Sequence, residues 1–103
     1  LRLDGVNNMY PRDFILHQNY PNPFNPGTRI DYQIFSSGYT TLTIFNMRGE
    51  NVRTVFKSIR SAGSYSSYWN GTDNSGKPLP SGHYFYQLKN NEMVKIKKMI
   101  LLK

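Results

Sequence analysis

TRIDYQIF, residues 28–35, alternates polar and apolar side chains from Arg29 to Ile34. Ile30, Tyr32 and Ile34 share one parity, and Arg29, Asp31 and Gln33 share the other. Successive side chains of an extended backbone point to opposite faces, so this pattern describes a strand with one face in a core and one in water. The flanking sequence repeats the same period and shows no helical period of useful length.

Downstream, TTLTIFN (40–46) sets Leu42 and Ile44 against Thr41, Thr43 and Phe45. NVRTVFK (51–57) carries Val52 and Val55 at odd spacing, which predicts a bulge or a sheet edge. SYSSYWN (64–70) puts Tyr65 and Trp69 on one face, and HYFYQLK (83–89) points Tyr84, Tyr86 and Leu88 inward. The last strand is MVKIKKMILLK (93–103): Val94, Ile96, Ile100 and Leu102 share a face, Lys95, Lys97, Met99 and Leu101 the other, and Lys98 interrupts the apolar row. Upstream, FILHQ (14–18) reads as a short first strand. SSGY, MRGE with Gly49, IRSAGS, GTDNSGKPLPSG and NNE fill the gaps with turn chemistry. About seven short strands in a chain of 103 residues fit a two-sheet antiparallel sandwich, immunoglobulin-like and all-β. Residues 1–13, without clean period, read as a linker or lead-in, and 14–103 as one domain.

Between the first two strands lies NYPNPFNPG (19–27), with Pro21, Pro23 and Pro26. Each proline lacks an N–H, fixes φ, and biases the residue before it toward extended conformations. The segment therefore reads as a stiff strap. Phe24 is its large apolar group, expected to plug one end of the sandwich.

Composition narrows the chemistry. The chain holds no Cys, which excludes disulfides and thiolate sites. No apolar run approaches the ~20 residues of a spanning helix. Leu1 in place of an initiator Met suggests a piece of a longer protein. The formal charge is +7, with five lysines and one glutamate between Lys89 and Lys103. Such a balance suits nucleic acid, an acidic surface or an acidic receptor, but no aromatic RNA-binding motif or Gly clamp is present. The acids are scattered, His17 and His83 fall in strand segments, and no nucleophile elbow occurs, so no catalytic residues are assigned. NGTDNSG (70–76) loosely resembles an oxygen-rich calcium loop, yet an Asx turn led by Asp73 with Gly76 at positive φ explains the same residues. Neither metal nor cofactor is expected. Trp69 is the candidate for central packing. Tyr68, Phe85 and Phe45, on the opposite faces, would make a sugar-stacking platform if exposed together; a carbohydrate-binding or purely structural accessory module of a larger secreted enzyme is the alternative function.

LHQNYPNPFNPGTRIDYQI (16–34), LTIFNMRGENVRTVF (42–56) and GSYSSYWNGTDNSGKPLPSGHYFYQLKNNEMVKIKKMILLK (63–103) together resemble the C-terminal sorting domain (type A) of proteins exported by the bacterial type IX secretion system. The Trp69–Gly82 stretch is also similar to the Ig-like domain of flagellar hook-capping proteins. The resemblance implies a sandwich that serves as an address at the end of a cargo protein. It implies export through the periplasm and outer membrane, reading by the translocon, and in many cargoes processing by a surface sortase. The recognised positions it implies are Gly82, Tyr84, Tyr86 and Leu88, and Lys98 to Lys103. Pro21, Pro23, Phe24, Pro26, Trp69, Gly71, Asp73 and Gly76 are structural in this reading. Asn70 departs from the Asp usual in the family. The lysines of the closing strand, Lys95, Lys97, Lys98 and Lys103, would steer it toward an acidic receptor groove.

Overall fold

The structure, a computed structural model, describes residues 13–103. Seven strands make it up: β1 (Phe14–Leu16), β2 (Thr28–Ile34), β3 (Gly38–Phe45), β4 (Asn51–Arg60), β5 (Gly63–Trp69), β6 (Gly82–Asn90) and β7 (Met93–Leu101). They form a three-stranded sheet in the order β1-β2-β5 and a four-stranded sheet in the order β4-β3-β6-β7, with every ladder antiparallel. The fold is therefore the expected all-β, immunoglobulin-like sandwich. The lead-in assigned to residues 1–13 lies, apart from Asp13, outside the described residues.

Alternation decides what each strand buries. Ile30, Tyr32 and Ile34 of β2 face Leu42 and Ile44 of β3 and Tyr84, Tyr86 and Leu88 of β6 across one core. Tyr32 stacks on Phe56 of the opposite sheet, with centroids 5.8 Å apart, and on its ladder partner Tyr65 at 5.5 Å. The Arg60 guanidinium lies 3.9 Å from the Phe56 ring centre and shields that side of the aromatic stack.

The odd spacing of Val52 and Val55 marks both a bulge and an edge. Leu42 pairs with Phe56 and Thr43 with Thr54, which skips Val55; Ile44 pairs with Arg53 and Phe45 with Asn51, which skips Val52. Each extra residue shifts the parity of the strand, and β4 is an outermost strand of its sheet, where this costs least. IRSAGS departs from its reading as a loop. β4 runs through Ile59 and Arg60 and β5 starts at Gly63, leaving Ser61 and Ala62 as the connection. The β3 partners Gly38 and Tyr39 extend the ladder to Arg60 and Ile59, and pairing overrides the polar composition.

Candidate partner-recognition strand

The strap and β7 meet at one end of the sandwich. Phe24 is 2% exposed and its backbone bridges Leu101 in parallel: its N–H donates to Ile100 O at 3.0 Å, and its carbonyl accepts from Leu102 N at 3.0 Å. Asn22 Oδ1 accepts from Ile100 N at 2.9 Å, and Gln18 Nε2 donates to Lys98 O at 2.8 Å. Pro21, Pro23 and Pro26 are exposed around this contact. With no N–H of their own, they leave the flanking residues to form the edge bonds. Deeper, the Phe24 ring lies 5.6 Å from that of Trp69, which meets Tyr84 edge-on at 5.8 Å. Trp69, 1% exposed, joins the strap to both sheets, and its indole N–H donates to Thr72 O at 2.9 Å.

The loop after Trp69 is tied to the same corner. Gly71 is buried with φ at +78°, and a Cβ there would sit 3.0 Å from Pro26 O, so both conformation and space call for glycine. Asp73 Oδ1 accepts from Ser75 N and Lys77 N, each at 2.9 Å, and Gly76 takes φ +86°. This is the Asx turn read from the sequence. Asn70 Oδ1 accepts from the Thr72 hydroxyl. Among the described residues no cluster of three His, Asp or Glu side chains is placed to hold a metal ion.

The closing hairpin divides the predicted recognition residues into two groups. Tyr84, Tyr86 and Leu88 are 4%, 0% and 0% exposed, so no partner touches their side chains in the folded domain. This corrects their reading as contact residues. The same alternation that made them conspicuous sends them into the core. Tyr86 Oη donates to His17 O at 2.7 Å and accepts from Asn19 N at 2.9 Å, and burial pushes its hydroxyl up to about 12. Tyr84 Oη donates to Pro80 O at 2.7 Å, and burial raises its pKa as well. Gly82 pairs with Leu101 and contributes backbone alone.

Lys95, Lys98 and Lys103 are exposed and Lys97 is half-buried. Met99 and Leu101 are the inward residues of β7, both 0% exposed, whereas Val94, Ile96 and Leu102 lie on the outer face at 45%, 56% and 53%. Apolar groups of this strand thus face solvent as well as the core. Lys95 shares the inward parity of Met99 but reaches the rim, where its Nζ lies 3.2 Å from Asp13 Oδ2 and 5.6 Å from the Phe14 ring centre. The Phe14 N–H and then the Lys95 ammonium hold the Asp13 carboxyl below the ordinary carboxylate range. Met47, His83, Phe85, Ile96 and Lys98 border an open cleft of about 480 Å³ beside this strand. Sequence reading missed that cleft because Met47 enters from the β3–β4 turn.

The aromatic platform of the alternative reading does not form. Phe45 and Phe85 are half-buried ladder neighbours on the four-stranded sheet, while Tyr68 projects from β5 of the other sheet and covers Gly27.

These features define an immunoglobulin-like β-sandwich whose last strand is stapled by an upstream strap. Residues 30–92 match the family model for the FlgD Ig-like domain, and the chain belongs to that family. No curated protein matches the chain in sequence. Several solved structures resemble it, among them the following three. Dimeric latent PorU from Porphyromonas gingivalis aligns with 87% of this chain at 20% identity and a TM-score of 0.71. PorZ, a surface component of the type IX secretion system of the same organism, aligns with 85% at 19% identity and a TM-score of 0.58. FlgD from Xanthomonas campestris aligns with 95% at 18% identity and a TM-score of 0.59. The chain spans 9% of the PorU chain, 11% of PorZ and 72% of FlgD.

Proposed function

We propose that this domain is a non-catalytic export address. It directs an attached cargo protein across the bacterial outer membrane by type IX secretion, to the cell surface or the medium. The observation that carries the reading is the closing hairpin. Its tyrosines lock it into the core, so the lysines and outer apolar groups of β7 are held at fixed positions for inspection. The likeness to PorU and PorZ supports the same direction. In this reading residues 1–13 link the sandwich to cargo, the translocon reads the β7 side, and a surface sortase acts on the lead-in.

Deleting residues 96–103 is a poor test, because it removes Met99 and Leu101 from the core and the partner groups of the strap. The decisive comparison fuses the intact chain to a passive reporter in cells carrying the secretion machinery. Export should require the domain and should fall when Lys98 and Lys103 are both replaced by Gln, with the thermal midpoint of the isolated domain unchanged. Equal export of the reporter with and without the domain would sink the reading.

A further inference from the structure

We infer that the N-terminal half of β7, around Val94 and Ile96, is a docking edge for an extended, acidic protein segment that adds to the four-stranded sheet. The inference deepens the export reading and rests on it only for the owner of that segment.

The backbone supplies the first argument. β6 and β7 pair in unbroken register from Asn90↔Met93 to Gly82↔Leu101. In an antiparallel ladder alternate residues direct both peptide groups toward the neighbouring strand, and the residues between them direct theirs away. Lys98 O, Ile100 N, Ile100 O and Leu102 N all bond to the strap side, so the even-numbered residues of β7 face away from β6. Val94 and Ile96 share that parity. Among the described residues no strand pairs with this stretch on its outer side. Their N–H and C=O groups form a short open template.

The side chains supply the second argument. An added strand would run beside the exposed Ile96 and Val94 and reach the cleft bordered by Phe85, Met47 and Lys98.

Charge selects the occupant. The four strands of this sheet carry Arg53, Lys57, Arg60, Lys89, Lys95, Lys97 and Lys98 and no Asp or Glu at all. A second copy of the chain would set lysines against lysines, which disfavours self-pairing. A segment alternating acidic with apolar residues satisfies the edge amides, the outer apolar row and Lys97 and Lys98 together, Lys95 being already paired with Asp13.

The test titrates the isotope-labelled domain with a short synthetic peptide alternating Glu with Val. A Lys/Val peptide and dextran sulfate serve as the comparison probes. Expected is slowed amide exchange at Val94 and Ile96 with the Glu/Val peptide alone. Dextran sulfate should shift lysine signals without protecting those amides. Ile96→Pro removes an outward-facing donor and leaves the β6 ladder whole, so it should abolish the protection in a folded domain. Should that variant unfold, Lys98→Glu keeps every ladder bond and should weaken peptide binding roughly fivefold. The inference is overturned if the Glu/Val peptide leaves Val94 and Ile96 unprotected, if the Lys/Val peptide protects them equally, or if the domain self-associates through this edge. Missing peptide binding with domain-dependent export intact removes the edge alone; intact binding with the reporter left behind removes the export reading.

Discussion

The two halves of β7 belong to one strand and one ladder, yet they differ in what borders them. From Lys98 onward the outer edge is occupied: Gln18, Asn22 and Phe24 bond to it, and Met99 and Leu101 point into the core. Before Lys98 the outer side of the ladder is open among the described residues, and the inward parity is filled by Lys95 and Lys97. The sealed half needs the strap for its bonds and Phe24 for its apolar cover. The open half relies on lysines, the usual means of keeping an edge from pairing with its own kind. In the proposed reading stability and recognition fall on separate stretches of one strand, and substitutions should tell them apart.

The largest expected effect is on the sealed half. Phe24→Ala removes a buried ring packed against Trp69 and should cost about 3–5 kcal/mol. Thermal unfolding should then occur more than roughly 10 °C lower. A midpoint within a few degrees of the parent would show that the strap is not part of the cooperative unit.

Next is Tyr86→Phe. It strands the buried Asn19 N and the part-buried His17 O, at about 1–3 kcal/mol. The hydroxyl titrates near 10.0 when free and is pushed up to about 12 in the fold. Its contribution is therefore complete below pH 10 and is lost as pH rises toward 12. Denaturant melts across that window should show a shallower alkaline decline in the variant; an unchanged slope would contradict the assignment.

Asn22→Ala sharpens the comparison directly. It deletes one exposed bond to Ile100 N and should cost about 0.5–1.5 kcal/mol. Amide exchange should accelerate at Ile100 while Ile96 keeps its parent rate. Equal acceleration at both would mean that the halves of β7 open together.

The smallest change belongs to the rim. Lys95→Ala breaks an ion pair whose side chains are 43% and 49% exposed, and should cost about 0.2–1 kcal/mol at low salt. The difference should vanish in concentrated salt, and a salt-independent loss would point instead to packing of the lysine stem on Phe14.

Alternation in TRIDYQIF and HYFYQLK is a local property of an extended backbone, so β2, β6 and their inward residues were legible from the chain alone. The irregular Val52 and Val55 spacing is equally local and pointed to a bulge or an edge, and β4 is both. The closing strand behaved differently. Its parity classes were legible, but which class would be buried was not, because that depends on the opposite sheet being one strand narrower and on the strap covering only one end. Tyr84, Tyr86 and Leu88 show the limit from the other side: a motif marks residues that matter without saying whether they are touched or buried.

By itself, then, the sequence determined the strand count, the sandwich, the stiffness of the proline segment and the surplus of positive charge, all of which follow from short-range sterics and composition. Tertiary structure alone decided that residues 78 positions apart, Asn22 and Ile100, would close half of the last strand. It also gathered seven basic side chains and no acidic one onto the strands of a single sheet. Both outcomes depend on strand order, and strand order is set by long-range burial that no local pattern encodes.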